Sequence, residues 1–298
     1  MNNYFFRIIC CGLLLVPCLG TAQQAPRSNV FLFGIEQITD SVFRFTEPQY
    51  LTFFNRDGYN NQPHFMSDNQ LYITVQRPYE ERPDIYSLHL GKEQKIQITA
   101  TPEGEYSPEL MPSGRTWSAV RMEKDAANSQ RLWEFPLDRK SNGRPVFKYI
   151  TNVGYYEWLN RNEVAMFLVT DDGSKLVIGD VRSDQTTDVA NNVGRSLQKR
   201  TGNELLYVQK ATDLTWYLKS LNLSNRKSKI LIETLPGSED FAVLPDGSVI
   251  MGKGSKLYKY HPSYDKSWVE VNDLRFYNIS KITRLAASRD GKLAIVGE

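Results

Sequence analysis

The chain has 298 residues, of which 41% are hydrophobic and 23% are charged, a composition typical of globular proteins that argues against extended disorder and a coiled coil. Its 36 Lys and Arg residues nearly balance 34 Asp and Glu residues, and the formal net charge of +2 gives no support to a nucleic-acid partner. The 16 Tyr, 14 Phe and 5 Trp residues, with 19 Gly and 14 Pro residues, favour strands separated by tight turns.

Residues 1–22 have the order of segments found in a secretory signal peptide. Arg7 precedes an apolar run at 8–16, and residues 20–22 are small, as at a cleavage site. The run is shorter than the about 20 apolar residues of a transmembrane helix, so we expect no transmembrane segment after signal removal. We expect an exported protein, periplasmic or associated with the cell envelope. Secretion and a lipid anchor at Cys18 are the alternatives, and Pro17 fits the anchor poorly.

The cysteines take no part in the predicted mature chain. All three lie in the predicted signal peptide, at Cys10, Cys11 and Cys18, and the chain from Gln23 onward has none. A disulfide framework, a thiolate nucleophile and a cysteine-based zinc site are therefore excluded for the mature protein.

A unit of about 45 residues recurs along residues 23–298. Each copy has a tight turn followed by a hydrophobic strand, and the turns centre on Asn69, Gly114, Asn162, Gly202, Gly247 and Gly291. Each copy also has a strand of alternating apolar residues, at 29–35, 84–90, 131–137, 175–181, 215–221 and 256–262. Six turns and six partner strands predict six modules.

The two ends of the repeat complete one module between them. The last turn is followed by a strand at 293–296, and the mature chain begins with its missing partner at 30–35 and a further strand near 42–46. Six four-stranded sheets around an axis form a propeller, and closure by both ends removes loose edges. We therefore predict an all-β fold, a six-bladed β-propeller closed by strands from both termini, as a single domain over residues 23–298.

The first module resembles the repeat of TolB-like propellers, a WD40-like, TolB-type repeat. The segment 60–69, the strand at 71–73 and the Asp-Ile-Tyr of 84–86 follow that repeat's order of proline and aromatic residue, turn, hydrophobic strand and Asp-Ile-Tyr. The segments 108–114 and 244–247 match it in degraded form. The resemblance implies the fold rather than an activity. Because the first strand closely follows the signal, we expect no counterpart of the TolB N-terminal domain.

Loops on one face of the predicted propeller are candidates for binding. We call this face the rim; it carries the loops that lead into each innermost strand and those that join the second strand to the third. These loops are rich in Tyr and Arg, which dominate recognition surfaces, although Tyr also packs between blades. We expect a non-catalytic binding or scaffold module for an envelope protein or peptide. The predicted rim residues are Arg56, Asp57, Tyr59, Asn61, Arg77, Tyr79, Glu105, Tyr106, Arg121, Tyr155 and Tyr156.

The innermost strands suggest a second possibility in the channel. Five residues before the turn centres stand His64, Glu109, Glu157, Leu197, Ala242 and Ala286. An imidazole and two carboxylates at one depth can hold a divalent cation or act as an acid/base pair. The alternative function is therefore a small-ligand-binding protein or lactonase-like hydrolase that uses a divalent cation. The structural alternative is that these groups bind water or backbone amides of a neighbouring blade. No other cofactor is expected.

Overall fold

Strands account for all the long elements that the structure describes. It is a computed structural model that describes residues 26–39, 42–46, 48–200 and 203–298. The predicted signal peptide with Cys18, and the predicted turn centre Gly202, lie outside these residues. Within them, the helical elements are two 3-10 turns, Phe53–Asn55 and Leu274–Tyr277. No helix in these ranges is long and apolar enough to cross a membrane.

The described strands form six antiparallel sheets, which are the blades of a propeller. The chain starts with β1 to β3, which span Asn29–Gln37, Phe43–Phe45 and Gln49–Tyr50. Blade I contains β4 to β7, which span Tyr59–Ser67, Gln70–Gln76, Asp84–His89 and Gln94–Gln97. Blade II contains β8 to β11, which span Gly104–Leu110, Thr116–Met122, Gln130–Pro136 and Arg144–Pro145. Blade III contains β12 to β15, which span Val153–Trp158, Glu163–Thr170, Gly173–Asp180 and Gln185–Asn191. Blade IV contains β16 to β19, which span Val193–Arg200, Glu204–Lys210, Trp216–Asn222 and Ser228–Glu233. Blade V contains β20 to β23, which span Phe241–Val243, Val249–Lys253, Lys256–Tyr260 and Val269–Asp273. The last two strands, β24 and β25, span Ile282–Ala287 and Lys292–Gly297.

Blade VI joins the two ends of the described chain. Its strands lie in the order β24, β25, β1 and β2, and the short β3 also pairs with β1. β1 and β25 run antiparallel in continuous register from Asn29 opposite Gly297 to Gly34 opposite Lys292. The prediction of an all-β, six-bladed propeller closed by strands from both ends is confirmed.

The second strand of each blade carries much of the core. In β5, residues 71–75 are all buried, and in β25 residues 293–297 are all buried. Such a strand lies inside its sheet with both faces covered by neighbouring blades, so its apolar run is continuous rather than alternating. Between blades I and II, for example, Trp117 stacks on Phe135 with 4.4 Å between ring centroids and meets Tyr72 edge-on at 5.5 Å.

Bulges in the innermost strands decide which side chains face the axis. The pairing register shifts in the innermost strands of blades I, II, III, IV and VI. In blades I and II the bulge holds Gln62 and Ser107 at φ of 53° and 52°, and a proline follows each of them. Extra residues bend a strand and redirect the side chains around them. Gln62 Oε1 accepts hydrogen bonds from the Thr74 hydroxyl (2.8 Å) and the Ser107 backbone N–H (3.0 Å), which ties blade I to blade II.

Candidate functional site: the rim and the central cavity

The innermost strands enclose a cavity of about 800 Å³ along the propeller axis, which we call the central cavity. Five of the six side chains predicted to face the channel line it, namely His64, Glu109, Glu157, Leu197 and Ala286. The sixth, Ala242, is fully buried and is not part of the lining. The cavity extends to Asp68, Gly114 and Arg289, which lie in exposed turns between first and second strands. It therefore reaches the surface on the face opposite the rim, at what we call the mouth.

Burial sets the charge of the three polar groups predicted in the channel. It raises the pKa of the Glu157 carboxyl to about 7, although the backbone N–H and the charge of Lys199 act against this. The pKa of Glu109 lies well above its usual value because of burial and the nearby Glu157, partly offset by the Trp158 backbone N–H. Burial lowers the pKa of His64 to about 4, so its imidazole is neutral at neutral pH. The backbone N–H of Trp158 in blade III interacts with Glu109 of blade II, and that of Lys199 in blade IV interacts with Glu157 of blade III. These contacts are of the kind that the structural alternative expects, in which the carboxylates bind backbone amides of a neighbouring blade.

The prediction of a divalent cation gains no support from the geometry of these groups. Among the residues that the structure describes, no set of three or more His, Asp or Glu side chains is arranged to hold a metal ion. His64, Glu109 and Glu157 share the cavity wall without forming such a set. The cation site stays a prediction.

Side chains from blades III to VI fill the channel on the rim side of the cavity; we call Tyr155, Arg195, Asp240 and Arg284 the plug. Arg284 Nη2 donates a hydrogen bond to the Tyr155 hydroxyl at 3.1 Å, and this bond joins the opposite blades VI and III. Asp240 Oδ2 lies 3.7 Å from Arg284 Nη1 and 3.8 Å from Arg195 Nε. Asp240 Oδ1 also accepts the Leu285 backbone N–H at 2.8 Å. The plug therefore forms the wall of the central cavity on the side of the rim.

Three of the predicted rim residues are buried and serve the packing of the blades instead. Arg121 Nε lies 2.9 Å from Glu105 Oε1, and both side chains are almost completely enclosed. The Arg121 guanidinium also lies over the Trp133 ring, 4.2 Å from its centroid. The Tyr156 hydroxyl donates to the Ser107 carbonyl of blade II at 2.8 Å. The expectation that Glu105, Arg121 and Tyr156 face a partner is corrected, because these side chains do not face solvent.

The other predicted rim residues fall into two groups. Tyr59, Asn61, Tyr106 and Tyr155 are half-buried. Tyr155 belongs to the plug, and burial raises the pKa of Tyr59 despite the nearby Arg284. The exposed residues are Arg56, Asp57, Arg77 and Tyr79, and Tyr79 is 99% exposed. Arg56 Nε lies 3.3 Å from Asp57 Oδ2, and Arg77 Nη1 lies 3.8 Å from Glu80 Oε1.

Three exposed apolar side chains on the rim were missed by the sequence analysis. Phe53, Leu214 and Phe276 are 64%, 88% and 87% exposed, and each lies in a loop that ends on the rim. The sequence did contain a signal for these three residues, because each is a large apolar residue that stands in a loop and is not part of the alternating pattern of a strand. A second pocket of about 630 Å³, the rim pocket, lies between blades III and IV near Leu214, and Trp216 and Lys210 line it. Lys210 Nζ lies 4.5 Å from the centroid of a Trp216 ring.

Comparisons with known proteins identify the fold. No protein-family model matches the sequence, and no curated protein matches it. The chain is similar to a TolB-type protein from Agrobacterium tumefaciens, with a TM-score of 0.64 and 11% identity over 91% of this chain and 98% of that one. It is similar to TolB from Acinetobacter baumannii, with a TM-score of 0.56 and 10% identity over 91% of this chain, and it spans 64% of that chain. It is also similar to a chain of a nidogen/laminin complex, with a TM-score of 0.64 and 15% identity over 87% of this chain and 97% of that one. At these identities the likeness shows the fold alone, and the protein has the fold of a TolB-like six-bladed β-propeller.

Proposed function

We propose that this protein is an exported, non-catalytic binding module whose rim recognises a protein or peptide of the cell envelope. The observation that carries the proposal is the placement of its exposed apolar side chains. Among the described residues, four of the five most exposed large apolar side chains lie in rim loops: Phe53, Tyr79, Leu214 and Phe276. The fifth, Tyr149, lies in the connection into β12, but its backbone N–H donates to Asp184 in the β14–β15 turn, on the face opposite the rim.

Such side chains do nothing for folding while they stand in water, and they are the residue types that anchor interfaces when a partner covers them. The charged groups beside them suit a polar border around these anchors. The Arg56 guanidinium lies 5.9 Å from the Phe53 ring centroid, and Arg56 itself is exposed. The rim pocket beside Leu214 offers a preformed depression for a side chain of the partner. Since the loops that carry these groups are anchored at both ends by paired strands, we expect little change in the backbone on binding.

The test is capture of the partner from an envelope extract by the tagged chain 23–298, with crosslinking and mass spectrometry. We expect the triple variant Phe53→Ser, Tyr79→Ser, Phe276→Ser to lose the captured protein and to keep the wild-type melting temperature. The matched control is Val42→Ser, Leu137→Ser, Ile230→Ser, which removes exposed apolar side chains outside the rim. Equal capture by the rim variant and the control would contradict the proposal.

Export is the second part of the proposal, and it rests on residues 1–22. Expression of the full chain in a bacterial host, followed by mass spectrometry, should find a mature chain that begins at Gln23. A lipid anchor would instead leave a lipidated Cys18 as the first residue, and Cys18→Ala would then abolish membrane retention. An uncleaved chain in the cytoplasm would contradict export.

The alternative function, with a divalent cation in the channel, makes a different prediction. Ca²⁺ or Mn²⁺ should raise the melting temperature of chelator-treated protein, and His64→Ala should remove that rise. Identical melting curves with and without the metal would end this alternative.

A further inference from the structure

The central cavity carries an excess of positive charge, although four carboxyl groups line it. The basic residues of the lining are Arg195, Lys199, Arg284 and Arg289, and the acidic ones are Asp68, Glu109, Glu157 and Asp240. Burial raises the pKa of both Glu109 and Glu157, so below about pH 7 these two groups carry less negative charge than ordinary glutamates. When both are protonated, four cations face the two carboxylates of Asp68 and Asp240.

The inner end of the cavity is cationic. Arg195 and Arg284 share the single carboxylate of Asp240, at 3.8 and 3.7 Å. Arg195 also lies 3.6 Å from Glu239, but Glu239 is held by Lys210 at 2.7 Å. Lys210 and Glu239 are not part of the lining, so at this end two lining cations share one lining anion. Because Arg284 is nearly buried in the end wall, its charge is less screened than it would be in water.

The mouth is cationic as well. Lys199 and Arg289 line it. Both are exposed. Within the described ranges neither forms an ion pair, and Lys199 Nζ donates to the Leu159 carbonyl at 2.8 Å. Asp68 is the one acidic residue of the lining at this end of the cavity.

The wall between the two ends can donate hydrogen bonds. A protonated carboxyl group such as that of Glu109 donates one O–H, and the neutral imidazole of His64 donates one N–H. Cations at both ends and donors between them suit a ligand that carries only acceptors. A volume of about 800 Å³ lies within the usual range of about 300–1,000 Å³ for small-molecule pockets.

We propose that the central cavity is a binding site for a small anion with two or more carboxylate or phosphate groups, which enters through the mouth and reaches Arg284 at the plug. This site opens on the face opposite the rim, so its ligand and the proposed partner enter from different sides, although Tyr155 and Arg195 line both the central cavity and the rim pocket. It also differs from the predicted cation site, since its ligand has the opposite charge.

The test is isothermal titration calorimetry on the chain 23–298 with citrate as the carboxylate probe and pyrophosphate as the phosphate probe. Sodium chloride at matched ionic strength and the cation spermidine are the reference ligands. We expect binding of at least one of the two anions and none of spermidine. Arg289→Glu and Lys199→Glu should each weaken binding about tenfold or more, because each replaces an attraction at the mouth by a repulsion. Arg77→Glu, an equal change of charge on the exposed rim, should leave the affinity unchanged.

The pH dependence is a further test of the same site. The charged and titratable groups that face Glu157 are Glu109 and Tyr156 on the blade II side and Lys199 on the blade IV side, with His64 further along the wall. As Glu157 ionises, its carboxylate repels the anion, so the affinity of the wild type relative to that of Glu157→Gln should fall as pH rises through about 7. The comparison with this variant cancels the change in the charge of the probe itself over the same range.

The calorimetry either supports the anion site or overturns it. Binding of citrate alone or of pyrophosphate alone identifies which oxyanion the site prefers. Absence of binding by both probes would overturn the proposal, and so would binding of spermidine in their place. Equal losses in Arg289→Glu and Arg77→Glu would also overturn it, because they would indicate general attraction to the protein surface. Circular dichroism of each variant confirms that a loss of binding is not a loss of fold.

Discussion

Arg121 and Glu105 form an ion pair that is almost fully removed from water, with 2.9 Å between Arg121 Nε and Glu105 Oε1. Removal of one partner leaves the other charge buried and unpaired, which costs about 3–5 kcal/mol. We therefore expect Arg121→Met to lower the free energy of unfolding by about 3–5 kcal/mol in urea denaturation. Arg56→Met breaks an exposed pair with Asp57 and should change it by less than about 1 kcal/mol. Similar losses in the two variants would contradict this view of the Arg121 pair.

Glu157 and His64 give the stability of the protein two opposing dependences on pH. Burial raises the pKa of Glu157 from 4.5 to about 7, so the folded state holds a proton that the unfolded state has lost. The stability from this group is fully present below pH 4.5 and is lost as pH rises through about 7. Glu157→Gln should therefore gain stability relative to the wild type between about pH 5 and about pH 8 in thermal melts.

His64 provides the control for that experiment. Burial lowers its pKa from 6.5 to about 4, so its contribution is lost as pH falls through this range. His64→Gln should gain stability relative to the wild type as the solution becomes more acidic, the reverse of Glu157→Gln. A constant difference from the wild type in both variants would mean that neither group titrates in the cavity as described.

At the scale of elements, the turn between the first and second strands meets different surroundings in different blades. Gly291 has a φ of +83°, and a Cβ there would lie 2.9 Å from the Ile35 carbonyl oxygen of β1. Gly114 has a φ of +66°, and a Cβ there would meet nothing within 4 Å. Alanine should strain either turn by about 1–2 kcal/mol, but only Gly291→Ala should also displace β1. We expect the larger fall in melting temperature for Gly291→Ala. Equal falls would show that β1 moves to accommodate the added Cβ without a further loss of stability.

The elements of the ring could be predicted because each blade is one repeated unit with the same order of turn and strand. The sites within it were harder to predict. Tyr155 and Tyr156 are consecutive residues of β12, so their side chains point to opposite sides, and Tyr155 joins the plug while Tyr156 turns toward blade II. Glu105 and Arg121 were assigned to loops, yet they lie in β8 and β9, where they pair with each other and the Trp133 ring lies over the Arg121 guanidinium. The period of the repeat indicates the depth of a residue along the axis, but side-chain contacts decide its exposure.

At the scale of the whole molecule, the two candidate surfaces lie on opposite faces of the propeller. The exposed apolar side chains lie on the rim, and the cationic mouth of the central cavity lies on the other face. The Arg284–Tyr155 hydrogen bond between opposite blades lies between them. We therefore expect the proposed partner and the proposed anion to enter from opposite faces, with Tyr155 and Arg195 lining both the central cavity and the rim pocket.

Closure of the ring by β1 and β25 leads to a prediction about chain order. Asn29 lies opposite Gly297 in register, so the two ends of the described chain are neighbours. A circular permutant with a short Gly-Ser linker from Glu298 to Arg27, opened between Gly91 and Lys92, keeps every strand pairing. These two residues lie in a turn between β6 and β7, away from the rim and the mouth. We expect the permutant to melt within about 5 °C of the wild type, measured by circular dichroism.

A truncation that starts at residue 47 is the contrasting variant, because it removes β1 and β2. It deletes Val30 and Phe33, which are both fully buried, and it leaves the edge of β25 without its partner strand. An unpaired edge beside an opened core favours aggregation, so this variant should not give a soluble, cooperatively melting monomer. If it melted like the wild type, blade VI would be complete without the strands from the start of the chain, and closure by both ends would not hold the ring together.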